Sequence, residues 1–442
     1  MVTDRRGIDF RAVWQLTSMS LGVGVFAIPF CFNVLGVLQG GILVVVLGFL
    51  ANTAIERLLD CAEIHSRSKY EEIANTAFGR WGQAAMALVI FITTFIASLS
   101  YLAASTELLT CVVYAFLTGE DINKQGGSAS VLSKGKRAIV LLILVMITMP
   151  KLLKRSMGDN ALISTAGVFS MSTAAIIFVG KCLLLLAEGC EENCPEAPPL
   201  AGGNLQEILE NMATLAFSFS MVFAVGPLVG DKVAEYGSVA AAAKSMRPVV
   251  RTSISFSVCI YLLVGLTGAL AYGNDIRKIS LQNLSLQRAL PQLVSAVVGT
   301  CSLLLVAIVG FPCIESAELF CKMANPNSRS DLRIAIVCIV GLLCVGIDAF
   351  IDTRIAFALT GALGLSLGAY VMPALLYFRL RERGQGSIYR FGSALVLLCF
   401  GAVILIGGTP ATVMAAIDSS KGNKEKLSHM SYFLQGLRGI DP

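Results

Sequence analysis

Two stretches of this chain place helix-breaking residues beside groups that can bind a polar ligand. The first reads Ser18-Met19-Ser20-Leu21-Gly22-Val23-Gly24-Val25-Phe26-Ala27-Ile28-Pro29, two glycines and a proline inside an otherwise apolar segment. Glycine costs a helix backbone entropy, and proline removes an amide donor and crowds the turn before it. A helix built on this run is expected to break, freeing carbonyls on one side and amides on the other. The amides at a half-helix start suit a carboxylate, and the freed carbonyls suit an ammonium. The second stretch, Phe217-Ser218-Phe219-Ser220-Met221-Val222-Phe223-Ala224-Val225-Gly226-Pro227, puts hydroxyls and aromatics before a Gly-Pro pair, where a second break is expected. The plainer explanation of either stretch is close helix packing through small residues. Two interruptions five segments apart point instead to a zwitterion site near the middle of a membrane.

Titratable groups are sparse. The two histidines, His65 and His429, fall in an inner loop and the tail, so neither is placed to relay protons within an apolar segment. Glu107, in the third apolar segment, is the candidate proton carrier, with Lys181 of the fifth as its candidate partner, since intramembrane charges pair or line water-filled routes. A structural ion pair or an outer-vestibule glutamate is the plainer role for it. Asp348, Asp352 and Arg354 read as interfacial, and Glu315 and Glu318 as partners of inner-loop arginines. No HExxH, GxSxG, CxxC or phosphate-cradling glycine motif is present, so neither an enzyme nor a bound cofactor or metal is expected. Most of the cysteines, such as Cys111, Cys182, Cys259, Cys301, Cys338 and Cys399, lie in apolar segments, where cysteine acts as a small hydrophobe. Cys190 and Cys194, in an acidic outer loop, are disulfide candidates. Asn283-Leu284-Ser285 is the one N-x-S/T sequon and makes Asn283 a glycosylation candidate.

The elements that must position these residues are membrane helices. A chain of 442 residues with 55% hydrophobic residues and a mean hydropathy of 0.75 holds more apolar surface than a soluble core can hide. Its apolar blocks are continuous and long, and about 20 helical residues span a bilayer core, whereas barrel strands would alternate over roughly ten. The reading is an all-α membrane protein of about eleven helices, over approximately 12–36, 38–60, 84–117, 137–152, 157–187, 206–230, 249–272, 289–321, 333–351, 354–378 and 391–408. The fourth block is the shortest and ends at Pro150. With the N-terminus in the cytoplasm, 20 Lys and Arg fall inside against 12 outside, which sets the orientation by the positive-inside rule. The formal charge of +5 is scattered, so nucleic acid is excluded as a partner. The first segment lacks a small-residue cleavage pattern and is expected to remain as a helix.

Ser18 to Pro29 resembles the small-Gly-x-Gly-apolar-apolar-Pro opening of the amino acid/auxin permease family, which belongs with the LeuT-type transporters. Tyr70-Glu71-Glu72-Ile73-Ala74, Phe78-Gly79-Arg80-Trp81-Gly82, Ala216-Phe217-Ser218-Phe219, Gly268-Ala269-Leu270-Ala271-Tyr272-Gly273, Gly361-Ala362 and Pro373 to Tyr377 resemble the same family in the same order.

The resemblance implies a LeuT-like 5+5 inverted repeat plus one C-terminal helix. Its parts are a cytoplasmic N-terminus (1–11), a first repeat (12–187), an outer loop (188–205), a second repeat (206–378), an eleventh helix (379–408) and a non-cytoplasmic tail (409–442). It implies secondary transport of amino acids, taken here as neutral, by alternating access. The substrate site would comprise Ser18, Ser20, Gly22, Val23, Gly24, Phe217, Ser218, Phe219 and Ser220. Sodium-coupled relatives place an Asn at Ser18 and a Thr near Leu305. Here Ser18, Thr300 and Ser302 are the remaining hydroxyls for ion coupling, and H+ is favoured over Na+. The expected location is the plasma membrane or a vacuolar or lysosomal membrane. The alternative is a sensor that binds amino acids and signals with little flux. Its protein partners are not identified by the sequence.

Overall fold

The computed structural model describes residues 8–119, 134–153, 161–188, 196–284, 288–324, 332–348, 353–381 and 388–417. Every long regular element among them is helical, as expected where no water is present to satisfy a free backbone. Helix α1 (Phe10–Ser20) starts at Asp9, whose carboxylate accepts from the Arg11 and Ala12 amides at 2.9 and 3.2 Å. The chain unwinds at Leu21 and Gly22, makes a 3₁₀ turn over Val23–Ala27 and continues as α2 (Ile28–Leu35), bent 47° from α1. Then follow α3 (Val37–His65), α4 (Tyr70–Thr118), α5 (Lys134–Leu152) and α6 (Ala161–Glu188). Gly79, at φ +68°, separates a short first segment of α4 from its long membrane portion, a conformation that glycine alone adopts without strain.

The second half opens with another broken helix, α7 (Leu205–Phe217) and α8 (Val222–Tyr236). Asn204 and Glu207 form a reciprocal capping box at the start of α7, which accounts for its sharp onset. The unwound residues are Ser218–Met221, ahead of the Gly226-Pro227 pair that the sequence marks. Pro227 stands inside α8 without interrupting it. The helix opens where other groups replace its lost hydrogen bonds: the Ser218 carbonyl accepts from Tyr261 and the Ser220 hydroxyl donates to Met19 O. Then come α9 (Val239–Tyr272), α10 (Ala289–Ala324) and α11 (Leu332–Asp348). The next span runs from α12 (Thr353–Leu359) through a π-helical stretch, Thr360–Val371, into α13 (Met372–Leu380). Helix α14 (Ile388–Val403) follows.

The two halves repeat one length pattern. Each starts with a broken helix, its third member is the longest (49 residues in α4, 36 in α10) and its fourth the shortest (19 in α5, 17 in α11). Helix α4 lies along α10, the third member of one half against the third of the other, and α3 likewise lies along α9. The segment before α7 ties the halves together at one end, through Val37 N to Pro199 O (2.9 Å) and Gly202 N to Leu35 O (2.8 Å).

Among the described residues, eight helices are long and apolar enough to cross a membrane, or nine if the bent pair Phe10–Ser20 and Val23–Leu35 is one span. Leu332–Ile347 is a shorter apolar helix, so length and composition alone do not reach eleven. Exposed apolar side chains such as Ile176, Leu342 and Ile406 form the surface that lipid covers.

Candidate functional site

The two breaks meet. A Cβ added at Gly24 would lie 3.3 Å from the Phe217 ring and 3.4 Å from Ser218 Oγ. Ser220 Oγ donates to Met19 O (2.9 Å), crossing from the second break to the first. Behind both, the buried Tyr261 of α9 places its hydroxyl 2.6 Å from Ser20 O and 2.6 Å from Ser218 O, so one donor serves the last carbonyl before each break. Ser20 Oγ pairs with Ser257 Oγ (2.7 Å), and Thr17 Oγ1 with Ser253 Oγ (2.8 Å), fastening α1 to α9. Phe219 stacks edge-on to Tyr261 (5.2 Å) and supports the break.

Of the residues named from the sequence, Ser18, Ser20, Val23, Phe217, Ser218 and Phe219 are buried, as are Gly22 and Gly24; Ser220 is half-buried. Their hydroxyls play different parts. Ser18 Oγ is spent on Gln15 O (2.7 Å), within its own helix. Ser218 Oγ is buried beside Gly24 without a hydrogen-bond partner. A buried hydroxyl left unpaired costs about 1–3 kcal/mol, so it marks a place for a polar ligand atom. The amides of Val23 and Gly24 open the helical stretch that continues to Leu35, where the first turn lacks intrahelical acceptors.

Sequence reasoning missed the residues that close the site. Tyr101 of α4 presses on Gly22 so closely that a Cβ there would fall 1.8 Å from its hydroxyl. Phe217 sits edge-on to Tyr101 (6.1 Å) and stacks on Phe357 of α12 (5.2 Å). Beyond these rings is a cavity of about 10 Å³, room for one water, lined in part by Asn211, Thr214, Lys278 and Arg354. Arg354 pairs with the buried Glu210 of α7 (2.9 Å) and lies 4.9 Å over the Phe30 ring of α2. It is therefore a brace joining α2, α7 and α12. No motif signals these contacts, which depend on helix packing. At the opposite end Lys232 of α8 binds Asp9 and also Glu235 (3.0 Å). Partial burial acts to raise the Asp9 pKa, but the Lys232 ammonium and the Ala12 and Arg11 amides outweigh it and hold the carboxyl below its ordinary value.

The ion-coupling candidates are scattered. Thr300 is on the exposed face of α10, so it cannot share a ligand with Ser18. Ser302 is buried with no hydrogen-bond partner, but α10 packs on α4 and α6, and Leu305 lies against Gly167 of α6. Glu107 accepts from Gln282 Nε2 (2.7 Å) and Thr353 Oγ1 (3.1 Å), and these replace Lys181 as its partners. Glu318 pairs with Arg333 (2.9 Å) and Glu315 with Lys69 (3.6 Å). Asn283 Nδ2 donates to Asp275 O (2.9 Å) and its Oδ1 accepts from Arg277 N (2.8 Å), so the nitrogen that would carry a glycan is engaged with the backbone. Cys190, Cys194 and His429 lie outside the described residues.

Residues 8–414 match the family described as transmembrane amino acid transporter protein. The chain belongs to that family. Among relatives of this transporter, the protein called amino acid transporter AVT6E from Arabidopsis thaliana is 22% identical over 435 residues, covering 93% of this chain and 84% of its own. The sodium-coupled neutral amino acid symporter 2 of Danio rerio is also 22% identical, covering 94% and 84%. The fold of this transporter is similar to that of MHP1, a nucleobase-cation-symport-1 family transporter in a closed conformation with bromovinylhydantoin bound. The TM-score is 0.54 at 14% identity, over 94% of this chain and 92% of that one. The transporter is thus a multi-pass membrane protein, not an enzyme, and amino acid transport is the activity its family supports.

Proposed function

We propose that this chain moves neutral amino acids across a membrane by alternating access, with protons rather than sodium as the coupling ion. The observation that carries the reading is the unpartnered, buried Ser218 Oγ facing Gly24 between two unwound helices. The substrate carboxylate would take the amides that open the Val23–Leu35 stretch, and its ammonium the Ser20 and Ser218 carbonyls now served by one tyrosine hydroxyl. The side chains that meet around the break, Tyr101, Phe217, Ser218, Tyr261 and Phe357, carry no charge, which suits a neutral side chain on the substrate. Alternating access is supported by a separate contact set at each end: Arg354 with Glu210 and Phe30 at one, Asp9 with Lys232 at the other. Releasing one set while keeping the other opens the site to one side.

Protons are favoured because Thr300 faces outward and Leu305 brings no oxygen, so the remaining hydroxyls do not assemble the several oxygens a hard cation needs. Glu107 is the proposed proton carrier. The test is uptake of a panel of labelled amino acids into proteoliposomes, with an imposed proton gradient, a sodium gradient or neither. Accumulation of neutral amino acids that follows the proton gradient supports the reading. No uptake of any amino acid under all three conditions sinks it.

A further inference from the structure

A second cavity, about 520 Å³ in volume, opens at the end of the molecule that holds Asp9, well apart from the paired breaks. That volume is in the range of about 300–1,000 Å³ typical of ligand sites. It lies between the end of α3 (Asp60, Cys61, Glu63, Ile64), the start of α9 (Lys244, Arg247), the end of α13 (Tyr377, Leu380, Arg381) and the start of α14 (Arg390). Four cations, Lys244, Arg247, Arg381 and Arg390, line it against two carboxylates, Asp60 and Glu63.

The pairing in the wall sharpens the imbalance. The buried Asp60 is approached by three guanidinium groups: Arg57 at 3.0 Å, Arg247 at 2.8 Å and Arg390 at 3.6 Å. Glu63 is shared by Lys244 (3.1 Å) and Arg247 (3.0 Å). Glu56 is approached by Arg57 (3.8 Å) and Arg251 (2.7 Å), so three carboxylates answer five cations, and the Arg390 contact is longer than a hydrogen bond. Arg57, itself buried, lies 5.2 Å over the Tyr377 ring, which places a further positive charge behind the cavity wall. Planar guanidinium forks converging on one space match phosphate geometry.

The rim indicates where such an anion comes from. Arg390 is flanked by the exposed Ile388, Tyr389 and Phe391, and Arg381 lies 5.4 Å over the Phe391 ring. An aromatic and aliphatic edge beside an arginine, at the end of a membrane helix, belongs at the headgroup level. We propose that this cavity binds a phosphate-bearing anion, supplied from the bilayer as an anionic phospholipid headgroup. Basic pockets between helices at the end richer in Lys and Arg are suited to that role. Occupancy would join α3 and α9 to α13 and α14, and so tie together elements of both halves.

The test uses the full-length purified chain and reads binding rather than transport, so it stands or falls independently of the proposed activity. Affinity is measured by thermophoresis for dioctanoyl phosphatidylinositol 4-phosphate, dioctanoyl phosphatidylcholine and inorganic phosphate. Saturable binding of the phosphoinositide, with phosphatidylcholine at least tenfold weaker, is expected. Each Lys or Arg near an anionic headgroup is worth roughly fivefold in affinity, so R381Q/R390Q should weaken binding by on the order of tenfold or more. R390K, which keeps the charge but loses the planar fork, should weaken it less than the double variant does. Unfolding temperatures of the variants in the absence of lipid verify that they fold; both arginines are on the cavity rim, so little change is expected. Inorganic phosphate that binds as well as the phosphoinositide would uphold the phosphate site and overturn its membrane source. Equal binding of both lipids, or binding unchanged in the double variant, would overturn the site itself.

Discussion

At Gly22 a side chain is excluded by a neighbour rather than by the backbone. Its φ of −99° and ψ of −165° are open to any residue, whereas a Cβ would lie 1.8 Å from the Tyr101 hydroxyl. Gly22→Ala is therefore expected to cut uptake at least tenfold. A double-mutant cycle with Tyr101→Ala separates the causes, because a steric origin makes the pair markedly less defective than the two single losses combined. Strictly additive losses would show that glycine is needed for another reason. This residue was legible in the sequence, since glycine and proline inside an apolar block betray a break. Tyr101 was not, because an aromatic in an apolar helix looks the same whether it packs on lipid or on a substrate site. The same limit applies to Tyr261, whose hydroxyl bridges both breaks from α9. A related limit applies to Thr300 and Ser302: sequence position does not tell which face of α10 a hydroxyl occupies, and the structure puts Thr300 on an exposed face and Ser302 on a buried one.

Between elements, the closures at the two ends differ in kind. Glu210 is almost wholly buried and Arg354 is 27% exposed. Arg354→Gln strands the carboxylate and is expected to cost ~2 kcal/mol, below the about 3–5 kcal/mol of a fully buried pair. Glu210→Gln added to it should restore much of the loss, measured as the unfolding temperature of the purified variants. If the double variant is as unstable as the single one, the pair is not what holds α12 to α7. The Asp9–Lys232 contact is more exposed. Asp9 has its pKa lowered in the folded chain, so the stability it contributes is present above its ordinary pKa and is lost as pH falls through the lowered value. Between pH 5 and 7 it stays charged, and the contact stays made. Asp9→Asn should therefore raise accessibility of a cysteine probe placed at Ser18 by severalfold from the α1 side, equally at both pH values. An effect of D9N that grows between pH 7 and pH 5 would contradict the assignment. Helix class and order were legible from block length, the expected count of eleven was not reached, and the break in the first span fell where expected. The second break appeared at Ser218–Met221 rather than at Gly226-Pro227, because replacement hydrogen bonds, not the proline, decide where a membrane helix can open.

Across the whole molecule, coupling requires a group whose charge state depends on which side is open. Glu107, proposed for that role, is held by hydrogen-bonding neighbours rather than by a cation. It joins α4 to Gln282, before α10, and to Thr353, at the start of the span that also carries Arg354 and Phe357. On the proposed reading, a movement of α12 that opens the outer rings stretches the Thr353 bond. If Glu107 is the proposed carrier, opening and its charge state are coupled through that bond, and such a coupling is reciprocal. Glu107→Gln mimics the protonated side chain and cannot cycle. It is expected to abolish accumulation driven by a proton gradient while preserving exchange of external for internal amino acid in the same proteoliposomes. Measuring both fluxes on one preparation decides the matter. Loss of exchange together with accumulation would reduce Glu107 to a structural clasp, and accumulation that survives the substitution would place the coupling group elsewhere.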